Sequence, residues 1–106
     1  MKTAFVTGGS RGIGSAIALA LGKTFHVIVG FANSEDKAND VVKEIVAAGG
    51  SASAVQIDIS DAESVDNAFT TIEKEYNSVD VLINNAGVTK DNILPRMKED
   101  EWLKVI

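Results

Sequence analysis

An α/β fold with a parallel, doubly wound sheet is predicted by three observations in this sequence of 106 residues. Short apolar runs alternate with segments whose apolar residues recur at helical spacing. A glycine-rich turn, "TGGSRGIG", joins the first run directly to the first helical segment, and no repeat or low-complexity tract interrupts the alternation. Strands that alternate with amphipathic helices imply crossover connections, so we expect four parallel strands in the order 3-2-1-4.

The four predicted strands are short and mostly apolar, and they comprise residues 3–7, 26–30, 52–57 and 79–83. The first helix is predicted to begin at Gly12, directly after the glycine turn. Its apolar face is predicted to be Ile13, Ala16, Ile17, Ala20 and Leu21, because these residues fall at i, i+3, i+4, i+7 and i+8.

The second helix is predicted to follow a Ser34 cap and to end at Gly49 and Gly50. Its predicted apolar face is Ala38, Val41, Val42, Ile45 and Val46. A capping box, Ser60 to Glu63, predicts the start of the third helix. The predicted apolar face of that helix is Val65, Ala68, Phe69, Ile72 and Tyr76. A last helix is predicted to begin near Lys98, after a loop that contains the only proline, Pro95.

Composition argues against several classes of function. A net charge of −5 and a pI near 4.7 leave no basic stripe for nucleic acid. The chain has no cysteine, so disulfides and thiolate metal sites are ruled out. It also lacks an apolar run of about 18 residues and begins directly with a strand, which predicts a cytoplasmic protein with no membrane partner. The only histidine, His26, has no second ligand at a useful spacing, so a surface position is favoured over a metal site.

The glycine turn itself indicates a phosphate site. Glycine within regular structure is destabilising by roughly 0.5–1 kcal/mol relative to alanine, so four glycines in eight residues indicate a steep turn or a close approach. A helix N-terminus presents unpaired N–H groups and a partial positive charge. The turn lies where a strand meets such a helix, and glycines there remove the side chains that would obstruct an anion.

Two motifs together identify a family. Gly8-x-x-x-Gly12-x-Gly14 and the later Asn84-Asn85-Ala86-Gly87 resemble the short-chain dehydrogenase/reductase family, over essentially all 106 residues. The resemblance implies a Rossmann-type fold of which residues 1–106 are the amino-terminal part of a single NADP-binding domain. Residues 87–102 are similar to 3-oxoacyl-acyl-carrier-protein reductases, although Pro95 replaces an expected methionine. Acetoacetyl-CoA reductases are the nearest alternative.

The resemblance implies three groups of cofactor-binding residues. The pyrophosphate and adenosine ribose would be bordered by Gly8, Gly9, Ser10 and Arg11, above a helix opened by Gly12, Ile13 and Gly14. Asp58 and Ile59 match the position that contacts adenine, with a solvated turn carboxylate as the alternative for Asp58. The nicotinamide ribose would be lined by Asn85, Ala86 and Gly87, whereas Asn84 is expected to tie neighbouring strands together.

The cofactor is predicted to be NADP(H). NAD sites place Asp or Glu about 20 residues after the glycines to hold the ribose 2′-hydroxyl, and residues 30–34 contain neither. Arg11 supplies a positive charge, and Asn33 and Ser34 supply neutral donors for a 2′-phosphate. Glu35 and Asp36 follow, in a first helical turn where carboxylates are favoured irrespective of any cofactor.

No catalytic residue is predicted in this chain. The family uses a serine, a tyrosine and a lysine four residues after the tyrosine, but Tyr76 is followed four residues later by Asp80. The catalytic half is therefore expected beyond Ile106. The resemblance implies reduction of a 3-oxoacyl thioester, carried on acyl carrier protein or CoA, by a parent enzyme that is a homo-oligomer. A non-catalytic NADP(H)-binding module and an inactive fragment are the alternatives.

Overall fold

The computed structural model describes residues 2–10, 12–76 and 79–85, which form one parallel sheet flanked by helices. The strands are β1 Thr3–Thr7, β2 His26–Phe31, β3 Ser51–Gln56 and β4 Val81–Asn84. The helices are α1 Gly12–Leu21, α2 Glu35–Ala47 and α3 Ala62–Tyr76. The sheet has the order β3-β2-β1-β4 with every neighbouring pair parallel, which confirms the predicted topology. The helix predicted near Lys98 lies outside the described residues.

Helices cover both faces of the sheet, because successive strand residues point to opposite sides. Phe5 of β1 packs with α3, and its ring meets Phe69 edge-on at a centroid distance of 5.7 Å. Its neighbour Val6 packs on the other side with α1 and α2. The α3 side of the core comprises Phe5, Ile28, Ile57, Val65, Ala68, Phe69, Ile72, Val79 and Leu82. The opposite side comprises Val6, Ala18, Val27, Val29, Phe31, Ala38, Val41, Ile45 and Ile83. The fold is therefore the predicted doubly wound arrangement.

The buried face of α1 differs from the predicted one. Gly14 and Ala18 are buried, whereas Ile13 is 74% exposed. Two members of the predicted face are half-buried beside the core, Ile17 and Leu21, and two are exposed, Ala16 and Ala20. The prediction weighted large apolar residues, but small residues bring this helix close to the sheet directly after the turn. The face is therefore rotated towards the smallest side chains.

The helix α2 begins after Ser34 as predicted, but the Ser34 side chain makes no capping hydrogen bond, and the predicted apolar face fails at Val46. Ala38, Val41 and Ile45 are buried, whereas Val46 is 53% exposed. The predicted stop is confirmed, since the helix ends at Ala47 and Gly49 has a positive φ of 91°. This left-handed conformation suits glycine, which has no Cβ to clash with the backbone.

The cap of α3 is Asp61, so the predicted capping box led by Ser60 is wrong. Asp61 Oδ1 accepts a hydrogen bond of 3.0 Å from the backbone N–H of Glu63, and its carbonyl accepts the first helical bond from Val65. The hydroxyl of Ser60 instead donates to Asp58 at 2.6 Å. Two acceptors compete within this short turn, and the aspartate one residue later takes the helix N–H. The predicted buried face of α3 is confirmed at Val65, Ala68, Phe69 and Ile72.

Five strand boundaries shift by one or two residues, at the end of β2 and at both ends of β3 and β4. The ladder of β3 begins at Ser51, one residue before the prediction, and β4 begins at Val81. Before β4, Asp80 is bonded to Thr3 twice, because its carboxylate accepts the Thr3 N–H at 2.8 Å and its own N–H donates to the Thr3 carbonyl at 2.9 Å. Along the described residues, every helix is too short or too polar to cross a bilayer.

A polar cluster lies at the amino edge of the sheet, around His26. Its Nδ1 lies 2.5 Å from Ser51 Oγ, and its Nε2 lies 3.2 Å from Ser53 Oγ. The ring stacks on Tyr76 at 4.7 Å, and the Tyr76 hydroxyl lies 2.9 Å from Ser53 Oγ. Burial lowers the pKa of His26, against a smaller opposing effect of the Glu75 carboxylate. The predicted surface position is therefore wrong, because His26 is half-buried and bridges β2 to β3.

Candidate functional site

The predicted site residues meet at the carboxyl edge of the sheet. Thr7 at the end of β1 stands opposite Asn84 at the end of β4, and Phe31 at the end of β2 stands opposite Gln56. The loops that follow all four strands therefore leave from one edge, where open α/β sheets bind their ligands. The predicted residues described there are Gly8, Gly9, Ser10, Gly12, Ile13, Gly14, Asn33, Ser34, Asp58, Ile59 and Asn85. Arg11, Ala86 and Gly87 lie outside the described residues.

The glycine turn has a backbone that other residues adopt with difficulty. Gly8 and Gly12 have positive φ angles of 65° and 51°. A residue with a Cβ atom at such angles is strained by about 1–2 kcal/mol. Between them, Gly9 donates its N–H to the Gly30 carbonyl at 3.1 Å, which fixes the turn against the end of β2.

Gly14 allows α1 to lie directly against this turn. A Cβ atom at Gly14 would overlap the Gly8 carbonyl oxygen and would lie 2.5 Å from Asn85 Nδ2. The neighbouring Ile13 points away from the core and is largely exposed. The third glycine of the motif is therefore required by packing between the helix, the turn and the end of β4.

Asn84 and Asn85 join the end of β4 to β1 and to the glycine turn. The buried Thr7 hydroxyl lies 3.3 Å from the Ile83 carbonyl oxygen and 3.2 Å from Asn84 Oδ1, and it accepts the Asn85 N–H at 3.2 Å. Asn84 therefore ties neighbouring strands together, as predicted. The side chain of Asn85 donates from Nδ2 to the Gly8 carbonyl at 3.2 Å, so it also supports the turn. The sequence did not predict this contact.

The N-terminus of α1 favours an anion electrostatically. Its first turn contains no acidic residue, whereas the first turns of α2 and α3 contain Glu35 and Asp36, and Glu63. Carboxylates usually occupy this part of a helix because they complement its partial positive charge. Their absence from α1, together with the space that Gly14 leaves, fits a phosphate group at the turn.

Two depressions flank the first turn of α2. One has a volume of about 400 Å³ and is lined by Phe31, Asn33, Glu35, Asn39, Ala54 and Gln56. Asn33 is exposed there, Ser34 is half-buried, and the carboxylate of Glu35 shares the depression with Asn33. Residues 30–34 themselves contain no acid, but the acidic Glu35 lines the same depression as Asn33.

The second depression is a groove between α1 and α2, with a volume of about 380 Å³. It is lined by Ser10, Gly12, Ser15, Leu19, Lys37, Asp40, Val41 and Glu44. Lys37 was not among the predicted site residues. Its position three residues after Ser34 places it in the first turn of α2, but only the packing of α2 beside α1 brings it into a groove that Ser10 also lines.

The loop after β3 is held by Asp58. Its Oδ1 accepts hydrogen bonds from the hydroxyl of Ser60 at 2.6 Å and from the Ser60 N–H at 3.0 Å, and its own N–H donates to Ser64 Oγ at 2.8 Å. The two bonds from Ser60, the hydroxyl first, lower the pKa of the exposed Asp58 carboxyl group. The next residue, Ile59, is half-buried and packs against the α3 side of the core. Asp58 thus orders the loop whether or not it also contacts a ligand.

Tyr76 is not brought to this edge. Its hydroxyl contacts Ser53, and its ring stacks on His26 at the start of β2, which is the amino end of the sheet. Within residues 2–10, 12–76 and 79–85, no group of three or more histidine, aspartate or glutamate side chains could hold a metal ion.

Comparison with known proteins gives the same family as the motifs. The family model described as short chain dehydrogenase matches residues 2–106. A 3-oxoacyl-acyl-carrier-protein reductase of Staphylococcus epidermidis is 49% identical over 106 residues, which cover 99% of this chain and 43% of that protein. One from Synechocystis is 48% identical with the same coverage. The chain therefore spans less than half the length of the curated relatives it matches.

A solved structure with a similar fold contains a nucleotide. It is a metagenomic short-chain oxidoreductase in complex with NADP, with a TM-score of 0.77 and 41% sequence identity. The match covers 82% of this chain and 39% of that structure. The chain therefore shares its fold with a short-chain oxidoreductase that binds NADP.

Proposed function

Because the chain belongs to the short-chain dehydrogenase family, we propose that it forms the nucleotide-binding part of an NADPH-dependent reductase. The proposed substrate is a 3-oxoacyl thioester, bound to acyl carrier protein or to CoA. Acyl carrier protein is favoured as the carrier, because relatives at 48–49% identity are named 3-oxoacyl-acyl-carrier-protein reductases. The product would be the 3-hydroxyacyl thioester.

The single observation that carries this proposal is the junction between β1 and α1. The turn combines two glycines with positive φ, a helix N-terminus without acidic residues, and Gly14, a position that leaves no room for a side chain. Backbone N–H groups in such a turn bind phosphate without side chains. The residues present therefore fit the pyrophosphate of a dinucleotide, with Asn85 supporting the turn from β4.

The other cofactor contacts are proposed at the ends of β2, β3 and β4. Asn33 and Ser34 would donate to a 2′-phosphate, and Asp58 and Ile59 would border the adenine. The nicotinamide ribose would be lined by Asn85, Ala86 and Gly87. When bound, the cofactor supplies a hydride equivalent to the substrate carbonyl. The role of this chain is to bind and orient the cofactor beside the glycine turn.

The proton donor of the reaction is proposed to come from residues outside these 106. Tyr76 is unsuited to that role, since its hydroxyl is engaged with Ser53 at the opposite edge of the sheet. A tyrosine also needs a neighbouring cation to exchange protons near neutrality, because its ordinary pKa is about 10. We therefore expect the 106-residue chain alone not to oxidise NADPH with acetoacetyl thioesters. Assembly of the parent enzyme into a homo-oligomer stays a prediction.

Calorimetry with NADPH and NADH tests the proposal, in the natural polypeptide that contains this chain. Arg11→Ala should weaken NADPH by about 10- to 100-fold more than NADH, because hydrogen bonds to charged groups are worth about 1.5–3 kcal/mol and only NADPH has the 2′-phosphate. Lys23→Ala removes a positive charge that is exposed just beyond the other end of α1 and should change neither affinity. Failure of the parent polypeptide to bind either dinucleotide would overturn the proposed function. Equal losses in Arg11→Ala would overturn the role of that residue alone.

A further inference from the structure

A histidine and a serine contact each other at the amino edge of the sheet, opposite the edge that carries the glycine turn. His26 of β2 pairs in register with Ser51 of β3, and its Nδ1 lies 2.5 Å from Ser51 Oγ. The other ring nitrogen, Nε2, lies 3.2 Å from Ser53 Oγ. A hydroxyl beside a histidine that a third group orients is the arrangement of an activated nucleophile. We propose that Ser51 accepts acyl groups from thioesters, with His26 as its general base.

The hydrogen bonds around the ring provide for the tautomer that this role requires. A neutral imidazole has one N–H donor and one acceptor nitrogen. Ser53 lies between the ring and Tyr76, whose hydroxyl is 2.9 Å from Ser53 Oγ. When Nε2–H donates to Ser53 and Ser53 donates to Tyr76, Nδ1 accepts the hydroxyl proton of Ser51. The Tyr76 ring stacks on the imidazole at a centroid distance of 4.7 Å and holds its orientation.

The charge state of His26 also suits a general base. Burial lowers the pKa of its ring, and the Glu75 carboxylate opposes this with a smaller effect. The ring is therefore neutral near pH 7, as a group that receives a proton must be. His26 and Ser51 are each half-buried, so the pair is partly shielded from water without being sealed inside the core.

The edge position of β3 supplies a donor for the negative charge that develops on the acyl oxygen. Ile57 donates its N–H to the Phe31 carbonyl, so odd-numbered residues of β3 bond to β2 and even-numbered ones face the other way. Among the described strands, none lies beyond β3. The N–H of Ala52, directly after the nucleophile, is therefore directed outward. An N–H at that position serves as an oxyanion donor in α/β-hydrolases.

The proposed step is an acyl transfer that needs no reactant besides the thioester. As Ser51 Oγ bonds to the acyl carbon, its proton passes to His26 Nδ1. The bond between the acyl carbon and sulfur then breaks, and the same proton passes from Nδ1 to the leaving thiolate. The products are an ester on Ser51 and a free thiol, and no group is oxidised or reduced.

The acetyl thioester S-acetyl-N-acetylcysteamine is the probe, applied to the natural polypeptide that contains this chain. We expect an acetyl group on Ser51, located by mass spectrometry of peptides. Hydroxylamine should remove it, because hydroxylamine cleaves esters but not the amides that form at lysine. His26→Gln should slow this labelling by about 100-fold or more, since a general base contributes about 10²- to 10⁴-fold. Saturating NADPH should leave the rate unchanged, because the glycine turn lies at the opposite edge.

The matched control is Thr71→Val, which removes a hydroxyl that donates to a carbonyl of its own helix and should not change the rate. Circular dichroism should show that each variant is folded. Urea unfolding of the unchanged protein should abolish the preference for Ser51, which tests the arrangement without any variant. No label on Ser51, a similar label on several serines, or an unchanged rate in folded His26→Gln would overturn the inference. None of these results bears on the proposed function, which depends on nucleotide binding.

Discussion

Replacing Gly14 with alanine should disrupt the glycine turn. The new Cβ atom would overlap the Gly8 carbonyl oxygen, which belongs to the backbone and cannot move aside by changing rotamer. Overpacking of this kind is destabilising by about 1–3 kcal/mol, and the better helix propensity of alanine offsets up to about 1 kcal/mol of that. We expect a net loss of about 1–2 kcal/mol in the free energy of unfolding, with a more than tenfold loss of NADPH affinity.

Urea unfolding followed by circular dichroism measures the first quantity, and calorimetry measures the second. Gly12→Ala serves as the contrast, because a Cβ atom there would have open space but the residue has a φ of 51°. It should destabilise by about 1–2 kcal/mol through backbone strain alone. Unchanged unfolding and unchanged NADPH binding in Gly14→Ala would refute the packing argument for the third glycine.

Three further predictions concern stability, each measured by urea unfolding. Burial lowers the pKa of His26, so the folded protein binds a proton less well than the unfolded chain, in which the pKa of histidine is near 6.5. The contribution of His26 to stability should therefore be complete above pH 6.5 and should be lost as the pH falls through that value. His26→Phe should remove this pH dependence, and an identical pH dependence in the variant would contradict the prediction. Phe69→Ala should destabilise by about 3–5 kcal/mol and the half-exposed Val46→Ala by less than about 1, and similar losses would contradict the assigned core. Thr7→Val should cost about 1–3 kcal/mol, because the Asn85 N–H loses its acceptor, and a neutral result would show that water replaces the hydroxyl.

Strand order could be predicted because buried strands are short, apolar and separated by amphipathic helices. The first strand was predicted with the bounds that the structure has, since all five residues are buried. The buried face of α1 could not be predicted, because apolar periodicity ranks Ile13 above Gly14 and Ala18, whereas close packing of the helix favours the smallest residues. The predicted Ser60 cap of α3 was wrong because the next residue, Asp61, offers a second acceptor and takes the helix N–H.

The position of the candidate site in the fold could be predicted from the sequence, but several of its contacts could not. The glycine spacing placed the turn at the start of α1, which the structure confirms. The contact between Asn85 and Gly8 spans 77 residues, so no local pattern contains it. Lys37 was missed for a related reason, because it shares a groove with Ser10 only when α2 packs next to α1.

The strand order also has a consequence for synthesis on the ribosome. Ala4 pairs with Val27 on one side, 23 residues later, and with Val81 on the other side, 77 residues later. Closing the longer segment carries an extra entropic penalty of about 1 kcal/mol relative to the shorter one. At about 5–20 residues per second, several seconds separate the emergence of β1 from that of β4. Throughout that interval the edge of β1 that later receives β4 has no partner strand from its own chain, and unpaired edges are where nascent chains associate.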